Sequence, residues 1–119
     1  MKLNIENTDR GEVKLIICKE NYLLSLNFAA ISKIQRHFGE SIMIICSKCW
    51  AGSQTPEQLA SIVLLASGKD KDIEVEDMVN AIMLEGLVEV SKAINSFLAM
   101  AINGGRAESL KAGKSKRGK

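Results

Sequence analysis

The sequence predicts an α+β chain: an N-terminal β-hairpin, a bundle of about five short helices, and a disordered basic C-terminal tail. Three observations carry this. Apolar residues alternate with period two between Val13 and Leu26, recur at helical spacing between Phe28 and Asn103, and thin out beyond Gly104. The implied plan is a flexible lead-in at 1–10, one hairpin-plus-helices domain at 11–104 and the tail at 105–119. At 119 residues the chain is long enough for one modest core and too short for two. Aromatics make up only 4% of it, so that core must be aliphatic, which suits helices packed on helices.

Each element has its own signal. Val13, Leu15 and Ile17, then Tyr22, Leu24 and Leu26, fall on one face of two strands, with Lys19-Glu20-Asn21 as the polar break. A lone hairpin is marginal, so helices must cover that face. Asn27 reads as a helix N-cap, followed by Phe28, Ile31, Ile34 and Phe38 inward and Gly39 as the stop. A second helix from about Ser41 to Trp50 is apolar nearly all round, which predicts heavy burial. Thr55-Pro56-Glu57-Gln58 has the residues of a capping box with proline at the first helical position. It leads a helix with Leu59, Ile62, Val63 and Ala66 inward. A charged loop, Gly68 to Asp72, precedes a helix from about Glu74 to Leu84 with Val75, Met78, Val79 and Ile82 on one face. Its acidic first turn suits the positive end of the helix dipole. Gly86 interrupts the pattern, and a last helix runs from about Leu87 to Asn103 with Leu87, Val90, Ile94, Phe97, Leu98 and Ala101 inward.

Charge is unevenly placed. The net charge is +2, but from Gly104 onward six bases meet one acid, so a body of −3 carries a tail of +5. Arg106, Lys111, Lys114, Lys116, Arg117 and Lys119 are a candidate polyanion-binding tail. That tail has no aromatic residue to stack on a base, which favours a solubilising extension over a nucleic-acid interface.

No constellation calls for catalysis, a cofactor or a metal. Cys46-Ser47-Lys48-Cys49 has Cys-x-x-Cys spacing, but it falls late in an apolar helical stretch rather than at a helix N-terminus, where a thiolate would be stabilised. Cys18 and His37 do not complete a zinc ligand pattern, and His37 reads as a surface or capping residue. The carboxylates of Asp70, Asp72, Glu74, Glu76 and Asp77 miss the register of a calcium loop, because Lys69, Lys71, Ile73 and Val75 interrupt it. Three cysteines exclude a complete disulfide framework, and no apolar run has secretory or membrane-spanning length. A reduced, cytoplasmic protein is expected.

The most informative surface is the last helix. Val88, Met100 and Ile102 lie off its inward face, and with Met83 they are the candidate partner-binding residues. Such a helix either runs deep through the centre or also meets a partner, and the core is the stronger alternative. Met43, Met78, Met83 and Met100 offer adaptable contact.

The order of these motifs carries a resemblance. Arg10-Gly11-Glu12-Val13, Asn27-Phe28-Ala29-Ala30-Ile31, His37-Phe38-Gly39-Glu40-Ser41 and Leu84-Glu85-Gly86-Leu87 together resemble the small gene-transfer-agent tail proteins grouped with phage tail assembly chaperones. The similarity covers roughly Asp9 to Gly104, and it rests on order and spacing, since each motif alone is strand, cap and turn grammar. It implies a non-enzymatic protein without cofactors that binds the tape-measure protein or other tail components in a bacterial host, with homo-oligomerisation left open. The alternatives are a structural tail-tube or tube-end subunit retained in the particle, and a small nucleic-acid-binding protein acting through the tail. The family supplies no catalytic residues. The cysteines, the lead-in and the basic tail depart from it.

Overall fold

Period two and helical period divide the chain where the sequence predicts, and the result is an antiparallel sheet covered on one face by helices. The structure, a computed structural model, describes residues 6–7 and 11–102. Three strands, β1 (Glu6–Asn7), β2 (Glu12–Ile17) and β3 (Glu20–Ser25), lie side by side in that order. Five helices follow: α1 (Phe28–Phe38), α2 (Ile42–Trp50), α3 (Pro56–Ser67), α4 (Val75–Glu85) and α5 (Leu87–Ile102). The predicted tail, including all six of its basic residues, lies outside the described residues.

The hairpin is the pair β2–β3, in the register Val13↔Leu24 and Leu15↔Tyr22. This puts Val13, Leu15, Ile17, Tyr22 and Leu24 on one buried face and leaves Lys14 and Leu23 on the exposed one. The lead-in is not wholly outside the fold. Glu6 and Asn7 pair antiparallel with Lys14 and Val13, adding a third strand that two residues of polar sequence could not announce. Gly11 explains the sharp entry to β2. It has φ +76, and a Cβ there would stand 3.1 Å from the Leu26 Cβ.

The turn sits one position earlier than the polar break. Ile17 pairs with Glu20, so Cys18 and Lys19 form a two-residue loop, and both have positive φ (51 and 71). A tight hairpin needs that geometry to match strand twist, but non-glycine residues adopt it at about 1–2 kcal/mol each. Tertiary contacts hold it. The Cys18 N–H donates to Glu85 Oε1 at 2.9 Å, and its thiol donates to the Ala81 carbonyl at 3.5 Å, tying the hairpin tip to the end of α4.

Caps set the helix boundaries. Asn27 Oδ1 accepts from the Ala30 N–H at 2.9 Å, and Gly39 closes α1 in a left-handed conformation. At α3, Thr55 Oγ1 accepts from the Gln58 N–H while Gln58 Oε1 accepts from the Thr55 N–H, a complete capping box. The core lies between the sheet face and the helices α3 and α5, which pack on β3 and β2 respectively. Every residue from Leu59 to Leu64 is buried, so α3 is surrounded by α1, α4, α5 and the sheet. Phe97, on the inward face of α5, is the largest of the fully buried side chains.

Expectations about helix faces fail at several positions, among them Val75, which is 38% exposed at the start of α4 while Met78 and Ile82 of its predicted face are buried. Phe28 is 87% exposed rather than inward. It stands six residues from buried Ile34, which places it about 120° around the helix from the Ala30–Ile34 stripe. α2 is half-buried, not enclosed: Ile45, Cys46 and Cys49 pack inward, while Met43, Ile44 and Trp50 face out. Its composition is apolar all round, but as a helix packed on α5 and α1 it has only one side to bury.

Candidate functional site

The surface that stands out is the corner where α4 meets α5. Met78 and Ile82 anchor α4 to the core, with Val79 and Ala81 packed beside them. A helix buried by that stripe must turn its other residues outward, and Glu76, Asp77, Asn80, Met83 and Leu84 are exposed. Gly86 then breaks the chain direction with φ 118 and ψ 120, so α5 starts on a new axis. Val90 turns into the core and Val88 turns out. The outcome is Leu84 at 82%, Val88 at 68% and Met83 at 56% exposure within six positions. That is roughly 300–400 Å² of apolar surface, a size at which patches on single chains are often functional.

Beside the corner lies a groove of about 370 Å³ between the α2–α3 turn and the first half of α5. Leu59, Leu87 and Val88 form its apolar wall, and Gln54, Lys92 and Asn95 line its rim. Val88 stands at the corner and also lines the groove. Lys92 is the charged residue there, held loosely by Glu89 at 3.8 Å.

The four residues singled out from sequence divide evenly. Met83 and Val88 stand at this corner. Met100 is fully buried and Ile102 is partly buried against the core, so neither belongs to it. The C-terminal half of α5 buries four consecutive residues, Phe97 to Met100, because α2 and β2 both pack against the helix. Of the methionines, Met78 is core as well, and only Met43 and Met83 of the four offer exposed thioethers. Leu84, the most exposed residue of the patch, was missed because it closes a helix at a glycine, where apolar residues usually mark a packed end. The signal was the period itself: Leu84 falls two residues after the buried Ile82, on the far side of α4.

The Cys-x-x-Cys pair is packing. Cys46 and Cys49 are both buried on the inner face of α2. The Cys46 thiol donates to the Leu98 carbonyl at 3.7 Å, joining α2 to α5. Burial, with a contribution from Cys49, pushes the Cys46 thiol up from 9.0 to about 12. Burial also raises Cys49, against a hydrogen bond from Gln54. These are the opposite of activated thiols. A raised acid group has a defined consequence. Between pH 9 and about 12 the unfolded chain has lost the Cys46 proton and the folded chain still holds it, so stability falls as pH rises. Urea midpoints across that range should fall less steeply for Cys46→Ala than for the natural chain, and equal slopes would contradict the assignment.

A smaller pocket of about 180 Å³ brings together His37, Ser61 and Asp70 over Leu64, Leu65 and Val75. Among the described residues no hydrogen bond or ion pair links these three polar side chains, so they form no relay. Also among the described residues, no three His, Cys, Asp or Glu side chains group to hold a metal ion, and no helix is long and apolar enough to cross a membrane. No family model, no curated protein and no solved structure matches the chain.

Proposed function

We propose that this chain is a non-catalytic binding protein of the tail assembly chaperone type, which holds a helical segment of the tape-measure protein or another tail component during assembly of a phage-like tail. The order of motifs from Arg10 to Leu87 supports the tail context. The observation that carries the binding role is the Met83–Leu84–Val88 corner with its adjoining groove. An apolar ridge beside a shallow groove suits the exposed stripe of an amphipathic helix. Met83 lends that ridge a side chain that adapts to sequences of varied shape. The deep placement of both paired thiols is in keeping with a role without thiol chemistry.

Co-expression with a phage-type tape-measure protein from the same genome is the test. A stoichiometric complex with that protein, together with absence of the chain from purified particles by quantitative mass spectrometry, is expected. Stoichiometric presence in the particle would instead make it a structural tail subunit.

A further inference from the structure

We infer that the segment received by this surface is a basic amphipathic helix, with a large apolar anchor and a Lys or Arg two helical turns away from it on the same face. This rests on the binding role proposed above, but not on the partner being a tail protein. The outer face of α4 has two rows. Glu76 and Met83 are seven residues apart, as are Asp77 and Leu84, so each apolar anchor has a carboxylate on its own row about 10 Å away. α4 has no Lys or Arg anywhere in its sequence. Its third carboxylate, Glu85, is already engaged by the Cys18 N–H, whereas Glu76 and Asp77 make no ion pair among the described residues. Of the nearby bases, Lys69 is drawn over the Tyr22 ring at 5.8 Å, Lys92 stands beside Glu89 at 3.8 Å on the α5 side, and Lys71 is exposed in the loop before α4, where Asp70, Asp72 and Glu74 outnumber it. A helix lying along α4 therefore meets apolar surface at one end and, at the other, two exposed carboxylates that only the helix dipole offsets directly.

Area and charge decide the occupant. The patch is about half or less of the roughly 800 Å² that each partner of a standard protein–protein interface buries, which fits one helix better than a globular second copy. Two copies packed along α4 would oppose like charges if parallel, and if antiparallel would set the carboxylates of each against the apolar end of the other. The other exposed apolar face, on α2, has one base, Lys48, and Glu40 is paired with it.

The test uses the full chain and model helices of about 20 residues, long enough to hold helical structure. One peptide carries leucine and lysine at the stated spacing, and a second has glutamate in place of lysine. The basic peptide should bind with shifts of the Met83, Leu84 and Val88 methyl resonances, and Leu84→Asp should weaken it at least about tenfold. The pair Glu76→Gln and Asp77→Asn should weaken it about two- to tenfold and flatten its salt dependence. The glutamate peptide should bind correspondingly worse. Equal affinity for the two peptides overturns the inference while leaving the binding role intact. Residues 103–119 hold Leu110 and Arg117 at the same spacing. A shift of the Leu84 methyls in peptide-free protein on Leu110→Ser would assign the surface to that segment and overturn the inference. Concentration-dependent shifts at the same methyls would do so in favour of a second copy.

Discussion

Phe97→Ala should destabilise the fold by about 3–5 kcal/mol, the range for emptying a fully buried aromatic site. Phe97 has no exposed surface and lies on α5, which packs on β2, in the same buried cluster as Val90, Ile94, Leu98 and the inward residues of β2. Against a typical total of 5–15 kcal/mol this loss is a large fraction, and in a domain of this size it corresponds to a fall in Tm of about 15 °C or more. The informative comparison is Leu84→Ala, a truncation of another large apolar side chain. Leu84 is 82% exposed, so its loss should change stability by no more than about 0.5 kcal/mol. Urea denaturation of both variants measures the difference between the side that holds the fold and the side left free for a partner. Similar costs at the two positions would mean that Leu84 is buried in solution.

Gly86→Ala should cost about 1–3 kcal/mol, for a reason unrelated to packing. At φ 118 and ψ 120 the backbone occupies a region that side chains with a Cβ avoid. Space is available there, since the nearest heavy atom to a Cβ would be Glu89 Cγ at 4.0 Å. The cost is therefore conformational, and it falls on the joint that sets the direction of α5. The Gly86 carbonyl accepts from the Val90 N–H at 3.1 Å, so a shifted joint also loosens the first turn of α5. Faster amide exchange at Val90 together with the lost stability is the expected result. A variant with unchanged stability would show that the corner is not built on this glycine.

Much of the fold was legible because it is written in short-range chemistry. The Asn27 cap, the Thr55–Gln58 capping box and the Gly39 stop depend on residues within one turn of each other, and each forms as read. The strand faces follow from period two, and the β2–β3 register keeps every predicted inward residue except Leu26 fully inside. What sequence leaves undetermined is which side of an apolar helix finds a neighbour. α2 looks buried by composition, yet has partners on one side only. Met100 looks peripheral on a helical wheel, yet α2 and β2 close over that end of α5. The Cys18–Lys19 turn was hidden for the same reason, because its unfavourable φ values are held by Glu85 and Ala81, more than sixty residues away. The candidate site follows this pattern. Met83 and Val88 were visible as apolar residues off the inward face, while Leu84 became visible only once the axis of α4 was set by Met78 and Ile82.

Under the proposed binding role, the corner would let a chain with an ordinary core hold another protein. Its exposed apolar side chains are displayed by two helices that are themselves pinned from behind, α4 through Met78 and Ile82 and α5 through Val90 and Ile94. Rigid backing lowers the entropy cost of ordering the surface on binding. Met83 and Leu84 are exposed, which leaves their rotamers open to adjustment on binding.

The proposed binding role is tested most directly by titration calorimetry of a tape-measure protein from the same genome with the natural chain, with Leu84→Asp and with Phe28→Asp. Phe28 is as exposed as Leu84 but sits on α1, so it controls for the loss of any exposed apolar side chain. The account predicts binding by the natural chain, at least about a thirtyfold loss for Leu84→Asp and little change for Phe28→Asp. No binding by the natural chain, or equal losses for the two variants, would contradict it.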